Sequence, residues 1–346
     1  MNAGCQPTVL NPPARDRVES GAGLPALEAF LTEAPIFLQP WWLEACSPGG
    51  WGCAVARRGE TIAAVMPYHR ERDALGANLL TMPPLTQVLG PWLRKTEAKQ
   101  TNQLADHKDL LTELIDALPP HKLFRQSFHY TIGNWLPFYW RQFKQTTRYT
   151  YVLEDLTDLE AVWKNMNSNI RSDIRKAQKQ LRVVDHLGLE RFLDVNELTF
   201  RRQSRGLPYS RALVRRLDAA CAAREARKIF FAVDNQDRVH GAVYLVWTKS
   251  WAYYLMSGAD PALRNSGATS LLVWEAIRFA ATVSRAFDFE GSMLEPIERF
   301  NRGFGGCQKP YFAISREQRG STWLGMVKAC AVLKGIARRA SLRRNP

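Results

Sequence analysis

The order of β-strands and helices in residues 228–290 constrains the fold more than any other feature of this sequence. Three runs rich in Val, Tyr, Phe and Trp are separated by short polar turns: Lys228–Val233, Val239–Trp247 and Trp251–Ser257. Such runs predict an antiparallel meander. A helix, Ser270–Ala281, and a short strand, Ala286–Glu290, follow. A strand, a helix and a second strand in this order predict a right-handed crossover, and therefore an α/β fold.

An internal repeat extends this pattern to the first half of the chain. Two predicted strands, Trp51–Ala56 and Thr61–Tyr68, precede a predicted helix at Leu110–Leu118 and strands at Phe124–Tyr130 and Tyr149–Glu154. The same order of elements in both halves predicts two lobes of similar fold. With a shift of 161 residues, the coinciding pairs include Leu110 and Leu271, Phe128 and Phe289, Arg141 and Arg302, Phe143 and Phe304, and Leu153 and Ile314.

Chain length also predicts two folded lobes, because 346 residues exceed what one hydrophobic core usually supports. We expect a mobile N-terminal tail at residues 1–23, a first lobe at 24–158 and a second lobe at 159–320. A helical stretch, Leu159–Gln180, begins the second lobe. Residues 321–346 are expected to form a basic helix that docks on the first lobe or makes a peripheral membrane contact.

Charge and cysteine content indicate the partners and the compartment. The net charge of +14 suits polyanions such as tRNA, nucleotide-linked sugars, coenzyme A or an anionic membrane, and is also compatible with a generally basic soluble protein. Six scattered Cys lack CxxC and zinc spacing, so we expect free thiols, no metal site and a cytoplasmic location. None of the six His has a Ser or Cys partner at a telling spacing, so His129 and His240 are predicted to be core or surface residues.

One candidate phosphate-binding loop lies between the last strand of the meander and the following helix. A helix start presents unpaired N–H groups that can bind a pyrophosphate, and a glycine permits close approach of the backbone. An ordinary turn before a capped helix is the alternative. The candidate cofactor-binding residues are Arg264, Ser266, Gly267, Ala268 and Thr269.

Two acidic residues end the next strand. Alternation along a strand places Asp288 and Glu290 on one face, at the carboxyl end where open α/β sheets bind ligands. Either could act as a general base, and their closeness would raise the pKa of one. The alternative is that they form ion pairs with Arg299 or Arg302.

Two further basic segments are candidates for binding an anionic substrate. The loop 299–306 combines arginine, aromatic residues and glycine, and includes Asn301, Arg302 and Phe304. Arginine there could hold a phosphate or carboxylate through two hydrogen bonds. Arg171 and Arg175 share a helical face with spacing four. A structural turn and a solvated helix face are the respective alternatives.

Taken together, these segments resemble the Fem-like branch of the GNAT superfamily, and more narrowly its BioF2-like acetyltransferase group. The resemblance covers residues 36–316 and is strongest from 163 to 316. The segments that carry it are Ile170–Ala177, Ala252–Leu255, Leu271–Ile277, Phe287–Ser292 and Arg302–Gly305.

The resemblance implies two tandem GNAT-like lobes, each a mixed central sheet flanked by helices. It implies that Arg171 contacts a nucleotide-sugar diphosphate, and that residues 264–269 form the pyrophosphate loop, with Thr269 in place of Gly or Ala. Asn301 stands where Fem enzymes carry a lysine, which argues against peptidyl transfer. The resemblance therefore favours transfer of an acyl group from acyl-CoA to an amine, with acetyl as the first choice of acyl group.

In this hypothesis Glu290 or Asp288 is the base, and Arg302 and Arg171 hold an anionic small-molecule or envelope-precursor acceptor. One alternative is aminoacyl-tRNA-dependent transfer to a cell-wall or nucleotide-sugar precursor. Another is a non-catalytic protein that binds a nucleotide sugar or an envelope polysaccharide.

Overall fold

The computed structural model describes residues 8–10, 23–202, 206–291 and 293–318, and most of its strands form one large mixed sheet. The strands of the first half are β1 (Thr8–Leu10), β2 (Trp51–Arg58), β3 (Thr61–Arg72), β4 (Asn78–Thr81), β5 (Trp92–Leu93), β6 (Leu123–Ser127) and β7 (Lys144–Leu153). Those of the second half are β8 (Arg182–Val184), β9 (Arg227–Val233), β10 (Val239–Trp247), β11 (Trp251–Ala259), β12 (Ala286–Asp288) and β13 (Cys307–Glu317).

Helices cover both faces of this sheet. They are α1 (Gly23–Phe30), α2 (Pro40–Cys46), α3 (Gln100–Asp116), α4 (Leu136–Trp140), α5 (Leu159–Asn165), α6 (Ser168–Gln178), α7 (Gly188–Arg202), α8 (Arg211–Ala222), α9 (Ala268–Val283) and α10 (Glu295–Arg302). Short 3-10 helices lie at Ile36–Leu38 and Pro261–Ser266. Among the described residues, no helix has both the length and the apolar character needed to cross a bilayer.

The two halves of the sheet have the same arrangement of strands. Its strand order is β1-β2-β3-β4-β6-β13-β7-β12-β11-β10-β9-β8, with β5 paired to β3 outside this path. In each half a meander is followed by a parallel pair, β4 with β6 and β11 with β12. The last strand of each lobe pairs with the other lobe, because β13 lies beside β6 and β7 lies beside β12. The predicted repeat is therefore present, with an exchange of strands that makes the sheet continuous.

Alternation along β10 shows how the second lobe is built. Tyr244 and Val246 point into a core shared with α2, α7 and α8, whereas Val243 and Leu245 point into a core shared with α6 and α9. A strand that is buried on both faces has a continuous apolar sequence, as residues 242–246 do. A third core packs α3 and α4 against β2, β3 and β6 in the first lobe.

Several elements differ from the prediction. The helical stretch predicted at 159–180 breaks into α5 and α6, because Met166 is extended and the Asn167 N–H donates to Gly303 O instead. The strands predicted to reach Tyr130 and Glu290 end at Ser127 and Asp288.

The structure describes only a few of the residues in the predicted N-terminal tail and none of those in the predicted C-terminal helix. Within the stretch predicted to be a mobile tail, Thr8–Leu10 forms β1 and pairs with β2. The mobility of that stretch stays a prediction. The predicted C-terminal helix lies outside the described residues, and the lobe boundaries at 158 and 320 stay a prediction.

Candidate active site

The two predicted carboxylates lie together at the end of β12. Asp288 is buried, and its Oδ1 accepts hydrogen bonds from Thr150 Oγ1 at 2.5 Å and from the Glu290 N–H at 2.8 Å. The Gly291 N–H in turn donates to Thr150 Oγ1 at 2.9 Å. Asp288 therefore fixes the turn that follows the strand, and this turn, rather than strand alternation, brings Glu290 to the same side.

The turn needs both an unusual backbone conformation and a glycine. Glu290 adopts φ +51°, in the left-handed region that few non-glycine residues occupy. A Cβ on Gly291 would lie 2.0 Å from Tyr149 O. Only glycine lets the chain pass this close to β7, so the position of the Glu290 carboxylate depends on Gly291.

The strands β11 and β12 diverge beside the carboxylates. Their parallel pairing ends at Tyr253 and Asp288, while β11 continues to Ala259 paired only with β10. Among the described residues, the backbone of β11 beyond Tyr253 therefore has no strand partner on the β12 side.

A small cavity of about 10 Å³ lies at this point, between the two lobes. His129 and Tyr130 of the first lobe and Tyr253, Asp288 and Glu290 of the second line it. Thr150 and Tyr311, on the exchanged strands β7 and β13, line it as well. The site is thus built by both lobes and has room for about one water molecule.

The surroundings of both carboxyl groups favour the protonated, neutral form. Burial raises the pKa of Asp288 to about 6, against the hydrogen bond from Thr150. Burial, and then the charge of Asp288, raise the pKa of Glu290 well above its usual value. Glu290 as a whole residue is half-buried, but its Oε1 is buried. Carboxyl groups tuned upward in this way can exchange protons near neutral pH.

The alternative of structural ion pairs is wrong for these two acids. Within residues 23–202, 206–291 and 293–318, no Arg or Lys forms an ion pair with Asp288 or Glu290. Arg302 instead binds Glu298 at 2.8 Å, and Glu298 accepts a hydrogen bond from Tyr151.

Arg302 lies across the sheet from the carboxylates. Thr150, which binds Asp288, and Tyr151, which binds Glu298, are consecutive on β7, so their side chains point to opposite faces. The structure therefore separates Arg302 from the acids with which it was predicted to act.

The two other residues predicted to bind substrate in this loop, Asn301 and Phe304, are buried. Phe304 is fully buried between Phe289 and Phe300, and Asn301 is 2% exposed. A Cβ on Gly305 would lie 2.7 Å from Asn165 O. The glycines and aromatic rings of this loop pack it against α5 and the core, which places Phe304 out of reach of a substrate.

Of the two arginines predicted to bind substrate on α6, Arg171 has a structural role. Its guanidinium donates to Lys164 O at 2.7 Å and to Met166 O, which fastens the end of α5 to α6. Arg175 is exposed and lies 5.5 Å from the Trp163 ring centroid. Neither residue lines the cavity.

The predicted phosphate loop leads directly into α9, which begins at Ala268, two residues earlier than predicted. A Cβ on Gly267 would lie 2.6 Å from Asp173 O, so this glycine permits close packing of α6. Arg264 is exposed, Thr269 is half-buried, and no side chain among the described residues caps the helix start. Ser266 is buried, and its Oγ has no partner among the described residues.

A larger groove of about 910 Å³ runs between the lobes on the other side of His129 and Tyr130. Trp92 and residues 131–134 line it from the first lobe, and Lys249, Trp251 and Arg285 from the second. Among the described residues, the Lys249 and Arg285 side chains form no ion pair. Trp251 Nε1 donates to Tyr130 Oη at 2.8 Å, so these rings separate the groove from the cavity.

Sequence reasoning missed His129, Tyr253 and this groove. The signal for His129 was present, because the shift of 161 residues that relates the lobes places His129 on Glu290. No local spacing could have revealed Tyr253, which reads as one more apolar residue of a buried strand.

A family model described as an acetyltransferase (GNAT) domain matches residues 164–294. The matched segment contains α6, α9, the diverging strands and both carboxylates. The second lobe is therefore similar in sequence to GNAT acetyltransferase domains. No curated protein matches the chain in sequence.

Solved structures show that the described part of the chain has the tandem GNAT fold. FemX is 13% identical, covers 84% of this chain and 95% of its own, and has a TM-score of 0.63. A tandem GNAT protein from the clavulanic acid biosynthesis pathway is 12% identical, covers 91% and 100%, and has a TM-score of 0.53. L-PGS from Bacillus licheniformis is 10% identical, covers 88% and 94%, and has a TM-score of 0.51.

The GNAT domain and this fold support acyl transfer as the general reaction. Among the described residues, no group of three His, Cys, Asp or Glu side chains is placed to hold a metal ion. The four described cysteines, Cys46, Cys53, Cys221 and Cys307, are free thiols.

Proposed function

We propose that this protein transfers an acyl group from acyl-CoA to the amine of an anionic acceptor, with Glu290 as the general base. The observation that carries the proposal is the buried pair of Asp288 and Glu290 beside the divergence of β11 and β12. As the amine nitrogen attacks the thioester carbonyl carbon, a C–N bond forms and the C–S bond breaks. Glu290 takes the proton that the nitrogen loses, and the thiolate leaves as coenzyme A.

The start of α9 supports the choice of acyl-CoA as donor. Its first N–H groups lack a capping side chain among the described residues, Arg264 beside it is exposed, and the Lys176 Nζ lies 3.2 Å from Asn265 O. Unpaired N–H groups at a helix start together with two cations suit a pyrophosphate.

The groove between the lobes supports an anionic acceptor. Lys249 and Arg285 have no ion-pair partner among the described residues, and the Trp92 and Trp251 rings lie beside them. Arg302 and Arg171 are engaged elsewhere, so the proposed acceptor contacts move from these two residues to the groove. The cavity and the groove are neighbours, because residues 129–130 line the cavity and residues 131–134 line the groove. An acceptor in the groove reaches Glu290 only when the Tyr130 and Trp251 rings between them move apart.

Calorimetry with acetyl-CoA, longer acyl-CoAs and free coenzyme A tests the donor. We expect binding of at least one acyl-CoA, and about tenfold weaker binding to Arg264→Ala, since a charge-assisted contact to phosphate is lost. Lys108→Ala is the matched control, because it removes one exposed cation from α3 in the first lobe and should bind as the unmodified protein does.

No binding of any coenzyme A species would overturn the proposed donor. Equal weakening by Arg264→Ala and Lys108→Ala would indicate general attraction to a basic protein, and would remove the start of α9 as the phosphate site.

The second candidate is aminoacyl-tRNA as donor. The exposed cations Arg175 and Lys176 on α6, Lys179 directly after it, and the net charge of +14 favour a polyanion of this size. In that case activity is lost on RNase treatment and falls steeply between 50 and 200 mM salt, as phosphate contacts require. Activity that survives RNase would exclude this donor.

A further inference from the structure

The cavity between the lobes contains buried polar atoms that have no partner. These are His129 Nε2, Tyr253 Oη and Glu290 Oε1, none of which finds a hydrogen-bond partner among the described residues. All three residues line the same cavity of about 10 Å³. Buried polar atoms are nearly always paired in folded proteins, with protein groups or ordered water. Three unpaired atoms around one water-sized space therefore indicate a bound polar atom.

The hydrogen bonds of His129 determine which of its nitrogens carries the proton. The Thr131 N–H donates to His129 Nδ1 at 3.4 Å, and Thr131 Oγ1 lies 2.8 Å from the same nitrogen. We assign the proton of the neutral ring to Nε2, because Nδ1 can then accept from both the Thr131 N–H and the Thr131 hydroxyl. Burial lowers the pKa of His129 to about 3, which keeps the ring neutral.

Packing holds the His129 ring in this orientation. The residue is 2% exposed, its ring centroid lies 4.2 Å from that of Tyr130 and 4.8 Å from that of Trp251, and Trp92 lies beyond. The charged or titratable side chains around the cavity are Tyr130, Tyr253, Asp288, Glu290 and Tyr311. The cavity thus combines a hydrogen-bond donor of the first lobe, His129 Nε2–H, with an acceptor of the second lobe, Glu290 Oε1.

His129 and Glu290 occupy equivalent places in the two lobes. Strand β6 ends at Ser127 and β12 at Asp288, so each residue is the second after its strand. Each is preceded by a buried phenylalanine, Phe128 or Phe289. Because β6 and β12 are antiparallel across the exchanged strands, the two chain segments approach each other over β7 and β13.

We propose that His129 is a positioning residue of the first lobe that holds a proton-relay water for Glu290. The water accepts a hydrogen bond from His129 Nε2–H, donates one to Glu290 Oε1 and donates the other to Tyr253 Oη. Its remaining lone pair accepts the proton that the acceptor amine loses as the C–N bond forms. The water passes a proton to Glu290 in the same step and is regenerated. The relay itself rests on the proposed acyl transfer.

A crystal structure of the unmodified protein tests the water independently of any activity. We expect one ordered water within hydrogen-bond distance of all three atoms, and its loss in His129→Leu. An empty cavity in the unmodified protein, or the same water in His129→Leu, would overturn the inference.

Kinetics with the acyl-CoA that the protein uses test the role of the water. We expect His129→Leu to lower kcat about 10²-fold with KM changed less than twofold, since proton transfer alone is impaired. His129→Gln should regain most of the rate, because its amide nitrogen can donate from a similar place. Thermal unfolding of each variant shows whether it is folded.

The pH profile separates a positioning role from simple packing. With the water in place, the pKa of the acidic limb of kcat/KM, where activity rises with pH, belongs to Glu290. Loss of the water in His129→Leu should move that limb upward by about one unit, because the carboxylate loses a hydrogen-bond donor. If His129→Leu and His129→Gln lose the same rate without a shift, His129 acts only in packing. If no acyl-CoA is turned over, the proposed function fails, and the crystallographic test still decides on the water.

Discussion

The two lobes share one order of elements and differ where ligands would bind. In the second lobe, the link from β11 to α9 spans residues 260–267 and ends in Gly267 at φ +75°. In the first lobe, the link from β4 to α3 spans residues 82–99, contains β5, and leaves no glycine at the helix start, where Lys99 precedes α3. The helix start that we propose to bind a pyrophosphate therefore has no glycine-containing counterpart in the first lobe, whose longer link lines the groove.

The lobes also differ at the ends of their equivalent strands. The second lobe places Asp288, Glu290 and Gly291 there, and the first places Ser127, His129 and Tyr130. The second lobe therefore contributes two carboxyl groups and a tight turn at Gly291. The first lobe contributes the neutral His129 imidazole as a hydrogen-bond donor and the aromatic ring of Tyr130. A duplicated fold can therefore divide one site between its copies, with each copy supplying a different chemical group to a common cavity.

The largest expected difference between the lobes concerns the base. Glu290→Gln should lower turnover about 10²–10⁴-fold with donor binding unchanged, because the amide cannot accept the amine proton. Steady-state kinetics and calorimetry on the same preparation measure the two quantities. Ser127→Ala, at the place equivalent to Asp288, should retain turnover. Unchanged turnover in Glu290→Gln would remove Glu290 as the base.

The turn after β12 should tolerate no side chain where the first lobe carries Tyr130. Gly291→Ala places a Cβ against Tyr149 O and should lower the free energy of unfolding by about 3 kcal/mol. Denaturant unfolding measures this loss. Gly133→Ala is the matched control, since no atom lies within 4 Å of its Cβ, and it should change stability little. Equal stability of both variants would contradict the close approach of this turn to β7.

Asp288 should make the stability of the protein depend on pH, whereas Ser127 should not. The folded pKa of Asp288 is about 6 and its ordinary value is 3.8, so the native state is favoured while the group is protonated and loses stability as pH rises from about 4 to 6. Asp288→Asn keeps an oxygen that can accept the hydrogen bond from Thr150, and it removes the loss of stability with rising pH. It should be about 1–3 kcal/mol more stable than the unmodified protein at pH 8.

Below pH 4 the advantage of Asp288→Asn should vanish, because the carboxyl is then protonated in both the folded and unfolded states. Unfolding curves at pH 4, 6 and 8 measure the trend. A constant difference between the two proteins at all three values would show that Asp288 is ionised in the folded protein across this range.

The smallest expected effect concerns the groove. Lys249→Glu and Arg285→Glu should raise the KM for an anionic acceptor about tenfold each and leave donor binding and stability nearly unchanged, because both side chains are exposed. Lys99→Glu, an equal change of charge at the start of α3, is the control. If all three variants raise KM equally, the effect is long-range attraction, and the groove is not the acceptor site.

Much of the fold could be predicted because its signals are local. The meander of β9, β10 and β11 is bounded by polar turns, and its middle strand matches the prediction at both ends. The repeat was visible because matching elements keep the same spacing. The exchange of β7 and β13 could not be predicted, since either strand carries the same alternating pattern beside either neighbour.

The candidate site was predictable only in part. Asp288 and Glu290 were identified by their place after a strand, and the structure brings them together in a cavity. Arg302 and Phe304 were chosen for their chemical type, but α10 and the core hold them on the other face of the sheet. Which face a side chain reaches depends on how a loop packs, and spacing along the chain does not contain that information.

The sequence by itself determined the α/β order of elements within each lobe, the pair of acids after a strand, and a helix start two residues from the observed one, because each depends on residues close together in the chain. Tertiary structure alone decided that His129 faces Glu290, that Lys249 and Arg285 flank a groove, and that Arg171 fastens two helices. The physical reason is that the exchanged strands bring together segments about 160 residues apart, and only the packed sheet fixes which of their side chains meet.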